Sequence, residues 1–266
     1  MWTSIVILLV LVFFITRFRA HKRLNYKSYV LTLPESKQRQ NVFMENFNHT
    51  VPLEVIHGVN TRTVEGARQY EHLVDPVYME KALEMHYDPT VERPDITYFN
   101  LGAIGAMVGH LKIQELAKKQ GVKYALVFED NVVIDDDQIF DEVEEVIREL
   151  GDDFEVVFFH CISRMSSGKR GTLEKVRWIS SMKCYLVHVD NMLKYHQYFY
   201  PMNNHVDNKH EDLIARGARI FYKDMRHCIS IDRSGGSTIG HSDHGKGEFF
   251  SRQYPDVHST TLREGW

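Results

Sequence analysis

From Lys27 onward the chain alternates short, densely apolar runs with longer stretches whose apolar positions recur every three or four residues. The first kind reads as buried strands and the second as helices covering them, so the alternation predicts an α/β domain around a mainly parallel sheet. "KSYVLTLP" is a strand broken by Pro34, followed by a polar helix from about Glu35 to Phe47 and a second strand, "LEVIHGVN", closed by Gly58. Residues 60–99 contain one helix-like stretch, "YMEKALEMHYD", in a neighbourhood interrupted by Pro76, Pro89 and Pro94. The pattern sharpens at Asn100. It can cap a helix carrying Leu101, Ile104, Val108, Leu111 and Leu116 at helical spacing, with Gly121 as the stop after Lys118 and Lys119.

That helix feeds the strand "YALVF", which runs directly into Glu129 and Asp130. After a second short apolar run and the acids Asp135 to Asp137, Ile139, Phe140, Val143, Val146, Ile147 and Leu150 repeat at helical spacing, between a cap at Asp137 and a stop at Gly151. "FEVVFFH" is the next buried strand. Residues 163–172, "SRMSSGKRGT", hold few apolar groups and two glycines and read as a mobile loop, either a solvated surface loop or one whose Lys169 and Arg170 close over a bound anion. "SMKCYLVHVD" is another strand and "NMLKYHQYFY" a short helix stopped by Pro201. A helix from Glu211, a strand "ARIFY" and a strand "HCISI" follow, and residues 242–266 read as a loosely held tail.

Ligands of open parallel sheets bind outside the carboxyl ends of the strands. "YALVFED" and "FEVVFFH" both finish there, so Glu129, Asp130 and His160 are expected to converge by topology. Solvated acids after a strand are the plain reading. A hard cation such as Mg²⁺ or Mn²⁺ held against a substrate phosphate is the sharper one. The usual phosphate cradles are missing: "LGAIGAMVG" sets Gly102, Gly105 and Gly109 in a helix, where they allow close packing, and there is no GxxxxGK[ST]. Glu211 and Asp212 open a short helix where the macrodipole favours acids, and one of them could act as a general base, with Asp207 as a rival. His241 and His244 add two further ligands or proton carriers.

The formal net charge of −4, from 32 Lys and Arg against 36 Asp and Glu, leaves no electrostatic footprint for nucleic acid. Cys161, Cys184 and Cys228 are odd in number and show no CxxC pair, so they read as buried small hydrophobes, in agreement with a reducing compartment. Asn48-His49-Thr50 is a glycosylation triplet of a kind that arises by chance. At the N-terminus Ile5 to Ile15 form a continuous apolar run, followed by Arg17, Arg19, Lys22 and Arg23. At about 1.5 Å per residue the run is short of a roughly 30 Å hydrocarbon core unless its flanks snorkel. With no positive charge before it beyond the N-terminus and no cleavage site after it, it reads as a retained anchor, single-pass or monotopic. The basic flank puts the globular part on the cytoplasmic side. The expected organisation is an anchor over residues 1–24, a catalytic domain over 25–241 and a tail over 242–266.

These stretches together resemble glycosyltransferase family 25, whose members have the GT-A fold and include lipopolysaccharide and procollagen sugar transferases. The opening "YVLTLPESKQRQNVF" is similar to the family's first strand and arginine-bearing helix, and "GAIGAMVGHLKIQELAKKQGVKYALVFEDNVVID" to its Gly-rich helix and acid-ended strand. The chain departs from that pattern twice: Gly109 stands where the family usually has Ser, and Asn131 where a third acid is expected. The resemblance implies a GT-A-like, Rossmann-like sheet flanked by helices, behind an N-terminal apolar helix. It implies a UDP-sugar donor, with Leu33, Arg39, Gly102, Gly105, His110 and Glu129 around it. It also implies Mn²⁺ or Mg²⁺ at Asp130, Asn131 and His241, a base at Asp212, Asp207 or Glu211, and inversion at the anomeric carbon. A neutral Asn131 would weaken metal affinity or remove metal dependence. The expected partners are a nucleotide sugar, a glycan, lipid-linked or protein acceptor, and a membrane through the N-terminal helix. The rival readings are an inactive glycan-binding or scaffold protein of the same fold, and a metal-dependent hydrolase using His160, His241 and His244.

Overall fold

The computed structural model describes residues 24–47, 49, 51–88 and 99–232. The apolar run and basic flank, the tail, the glycosylation triplet's Asn48 and Thr50, and both His241 and His244 lie outside the described residues. Among the described residues no helix is long and apolar enough to cross a membrane.

In chain order the elements are β1 (Tyr26–Thr32), α1 (Lys37–Asn46), β2 (Leu53–His57), α2 (Val64–Arg68), α3 (Pro76–Tyr87), α4 (Leu101–Lys119), β3 (Tyr124–Glu129) and β4 (Val132–Ile134). They continue with α5 (Gln138–Leu150), β5 (Val156–Phe158), β6 (Ser163–Arg170), β7 (Leu173–Ser180), β8 (Cys184–His188), α6 (Val189–Leu193), α7 (Lys209–Ala215), β9 (Ile220–Tyr222) and β10 (Ile229–Ile231). Eight strands form one sheet in the order β2-β1-β3-β8-β5-β9-β7-β6, and β4 and β10 pair separately. Strands β2, β1, β3, β5 and β9 share one direction; β8 runs against them between β3 and β5. Six of the eight strands, β6 included, therefore share one direction, with β8 reversed at the centre and β7 reversed near one edge.

Burial on both faces explains the uninterrupted apolar strands. Along β3, Ala125 and Val127 join the core under α4 and α6, while Tyr124, Leu126 and Phe128 join the core under α1 and α5. Asn100 caps α4 as its sequence predicts, its side chain accepting from Ala103 N at 3.0 Å. At α5 the cap differs from expectation. Asp137 makes no side-chain cap bond, and Asp136 Oδ1 accepts from Gln138 N at 2.8 Å instead. The expected helix after Asn191 divides into α6 and a 3₁₀ turn at His196–Phe199. Cys161, Cys184 and Cys228 are free and buried, as expected.

The largest correction concerns residues 163–172. They form β6 and the turn of a hairpin with β7 rather than a mobile loop. Few apolar side chains are needed on β6 because Leu173, Val176, Trp178 and Ile179 of β7 supply the buried contacts, and Gly168 and Gly171 take the positive φ values of 145° and 57° that the irregular turn requires. Lys169 is exposed and Arg170 pairs with Asp153, just before β5. They do not close over the cleft described next.

Candidate active site

The carboxyl ends of β1, β2 and β3 open into a cleft of about 540 Å³, including its open mouth. Leu31, Thr32 and Leu33 form one wall, the loop Gly58 to Arg62 another, Gly102, Gly105, Ala106 and His110 of α4 a third, and Glu129 and Asp130 the floor. Two glycines of α4 make this geometry possible. A Cβ on Gly105 would lie 2.5 Å from Val59 O and 2.7 Å from Thr61 Oγ1, and one on Gly109 would lie 2.9 Å from the Leu31 side chain. The family's usual Ser at position 109 would therefore meet β1, and Gly105 presses α4 against the cleft loop rather than against the sheet. Thr61 Oγ1 accepts from Gly105 N at 2.9 Å and donates to Leu101 O at 2.6 Å, which fastens the loop to the start of α4.

Each acid on the floor is held by its own basic partner. Asp130 Oδ1 lies 2.7 Å from Arg39 Nη2, and its Oδ2 accepts from Thr32 Oγ1 at 2.7 Å. Glu129 Oε2 accepts from Lys183 Nζ at 2.5 Å, and Oε1 lies 3.6 Å from His110 Nε2. His110 Nδ1 lies 3.0 Å from the Tyr185 hydroxyl, so a hydrogen on Nε2 serves both contacts. Burial alone would raise the Glu129 carboxyl, but Lys183 and His110 outweigh it and hold the group below the usual carboxylate range. Asp130 goes the other way. Its desolvation exceeds the opposing pull of Arg39 and Thr32, and its pKa is raised.

The reversed strand β8 brings Lys183 here, because the start of an antiparallel strand lies beside the end of β3; Glu129 N donates to Lys183 O at 2.8 Å. Ser181, at the head of the same turn, holds φ 107°. Its N–H donates to Asp207 Oδ2 at 2.7 Å, and its Oγ lies 3.3 Å from His160 Nδ1. The turn thus links Glu129, His160 and Asp207 at one rim. The other two candidate bases are elsewhere: Glu211 and Asp212 are exposed on α7, with Asp212 paired to Lys209 at 3.2 Å. Partial desolvation and then the Asp212 charge hold the Glu211 carboxyl above its ordinary value. Leu33, Gly102, Gly105, His110, Glu129 and Asp130 line the cleft together, and Arg39 reaches it through Asp130. Sequence reading missed Lys183, Thr32 and the loop Asn60 to Arg62; a lone lysine before a strand carries no signal until the strand's direction is known.

Among the described residues, which do not include His241, the donor set does not fit a resident divalent cation. Three of the four carboxylate oxygens of Glu129 and Asp130 lie within 2.7 Å of a protein donor, and the fourth, Glu129 Oε1, lies 3.6 Å from His110 Nε2. Asn131 is buried with its Oδ1 unpartnered but is not among the residues lining the cleft. Among the described residues, the grouping of His, Cys and acid side chains close enough to share an ion is Glu142, His227 and Cys228, where Glu142 already pairs with Lys223 and His227. That grouping is on α5 and the approach to β10, away from the cleft lining.

Three solved structures superpose loosely on the chain. A glycosyltransferase involved in glycosylating the major capsid of PBCV-1 is 12% identical and aligns over 75% of this chain and 81% of its own, with a TM-score of 0.40. A197 from STIV is 9% identical over 75% and 81%, with a TM-score of 0.39. UDP-glucose pyrophosphorylase from Acinetobacter baumanii is 11% identical over 76% and 86%, with a TM-score of 0.40. No curated protein matches the chain. The profile of glycosyltransferase family 25, described as an LPS biosynthesis protein, matches residues 25–208, more than half of the 266 residues, and the chain belongs to that family of glycosyltransferases.

Proposed function

We propose that the protein transfers a sugar, with inversion, from a UDP-sugar bound in the cleft to a hydroxyl of a glycan, lipid-linked or protein acceptor. The observation that carries this reading is that the two acids on the floor of a cleft beyond the strand ends, Asp130 and Glu129, are each backed by a cation, Arg39 and Lys183. Such a floor presents fixed positive groups to a diphosphate leaving group. A preorganised charge of this kind is worth most where water is excluded.

Asp207 is the proposed general base. Of the three candidate acids it alone joins the rim network, through Ser181, while Glu211 and Asp212 face solvent. Gly102 and Gly105 keep the α4 wall low enough for the donor to approach, and Leu33 supplies an apolar contact. Residues 25–241 act as the catalytic domain in this reading, residues 242–266 as a tail, and residues 1–24 tether the domain to the cytoplasmic face of a membrane. Protease protection of the domain in sealed vesicles checks the last point.

The test of function is incubation of the purified protein with a panel of UDP-sugars and candidate acceptors. Release of UDP coupled to glycosylation of the acceptor is the expected outcome. UDP binding without turnover favours an inactive sugar-binding scaffold, and ester or phosphate hydrolysis indifferent to the nucleotide favours a hydrolase; either contradicts the proposal.

A further inference from the structure

Resting on that donor site, we infer that the protein neutralises the diphosphate with its own cations, Lys183 and Arg39, and uses no divalent metal ion for the purpose. A hard cation needs a shell of oxygens that are free to turn toward it. Here Lys183 and His110 face the two oxygens of Glu129, and Arg39 and Thr32 the two of Asp130. Two carboxylates already balance two permanent cations. A divalent ion entering between them would have to break both pairs and would sit beside the charges it displaced. The position where the family pattern expects a third acid offers only the neutral oxygen of Asn131.

Two independent features point to an anion instead. Arg39 Nη1 is buried and has no hydrogen-bond partner, on a side chain only 11% exposed whose Nη2 lies 2.7 Å from Asp130 Oδ1. A guanidinium with one arm on a carboxylate and an unpartnered nitrogen on the other can donate from that nitrogen to a phosphate oxygen. The second feature is the turn that presents Lys183. Ser181 holds φ 107°, a conformation that persists in a non-glycine residue only when its surroundings impose it. Asp207 imposes it by accepting the Ser181 N–H, and the Ser181 Oγ accepts from Lys183 N at 3.4 Å. The lysine is therefore set in place before any ligand arrives.

In the transfer step the acceptor oxygen forms a bond to the anomeric carbon and its proton passes to Asp207. The bond from the anomeric carbon to the β-phosphate oxygen breaks, and its electron pair leaves with UDP. The additional negative charge on the diphosphate is met by the Lys183 ammonium, shared with Glu129, and by the free arm of Arg39.

The test is calorimetric titration of the metal-stripped full-length protein with UDP, with and without added Mn²⁺, alongside Lys183→Met and Lys183→Arg. The expected result is a wild-type UDP affinity that changes by less than about twofold on adding Mn²⁺. Lys183→Met is expected to weaken it about tenfold or more under both conditions, the worth of one charge-assisted hydrogen bond, and Lys183→Arg to restore most of it. The wild-type arm needs no variant to fold. UDP binding that requires Mn²⁺, or that Mn²⁺ strengthens by about tenfold or more, overturns the inference and leaves the donor site standing. A folded Lys183→Met that binds UDP like wild type also overturns it. No UDP binding under either condition overturns the donor site itself, and the inference with it.

Discussion

At the carboxyl-terminal edge of the sheet, Asp130 and Glu129 pair with Arg39 and Lys183 through side chains only 6% and 15% exposed; at the opposite edge Asp152 and Asp153, 65% and 49% exposed, pair with Lys123, Arg170 and Arg219. The residue types are the same, and solvent makes the difference. Water screens the second set, where each pair contributes little beyond solubility. The first set is desolvated, so its charges hold fixed positions and act strongly on whatever enters the cleft. Glu155 at the opposite edge is buried too, but its oxygens accept from the Arg219 backbone N–H and guanidinium, and it serves to tie β5 to β9. Carboxylates thus make a site at the rim where β3 ends and a solvated fringe at the rim where β5 begins.

Removing the proposed base should have the largest effect. Asp207→Asn is expected to lower kcat by about 10²–10⁴-fold with UDP affinity unchanged in steady-state and binding measurements; an unchanged kcat would take Asp207 out of the reaction. Arg39→Ala comes next, because it strands Asp130 without its cation. Urea denaturation should show a loss of about 3–5 kcal/mol, and a loss below about 1 kcal/mol would class the pair with the exposed ones. Gly105→Ala drives a methyl group into Val59 O and Thr61 Oγ1, so it should cost about 1–3 kcal/mol and raise KM for the donor by shifting the cleft loop.

The two adjacent acids should also separate by pH. Glu129 is depressed in the folded protein, so its stabilisation is complete above the ordinary glutamate pKa of about 4.3 and is lost as pH falls below it toward the folded value. Asp130 is raised, so its ionisation opposes folding at neutral pH and that opposition is relieved as pH falls through its folded value. Stability measured against pH should therefore lose part of its acid decline in Glu129→Gln and steepen in Asp130→Asn. The smallest effect belongs to the opposite edge: Lys123→Ala should change unfolding free energy by less than about 1 kcal/mol.

Much of the cleft could be read from the sequence because local rules govern it. Asn100 as a cap, the apolar run ending in Glu129 and Asp130, and glycines in a helix each signal within a few residues. Lys183 was not legible in the same way. A run such as "SMKCYLVHVD" looks identical whether it lies parallel or antiparallel, yet only the reversed direction sets its first lysine beside Glu129. The β6–β7 hairpin was missed for a related reason: an edge strand needs backbone pairing more than apolar side chains, so "SRMSSGKR" gave no periodic signal. Asp207 and Asp212 could not be ranked from sequence either, because the Ser181 N–H that anchors Asp207 is 26 residues away along the chain.

The claim on which the rest depends is that the cleft between β1, the Gly58 to Arg62 loop and α4 holds the nucleotide diphosphate. Ala106 lines it midway along the α4 wall, with no charge of its own. Calorimetric titration of Ala106→Trp with UDP, on protein whose denaturation remains cooperative, tests the claim most directly. The account predicts that the binding signal disappears; UDP affinity equal to wild type would contradict it.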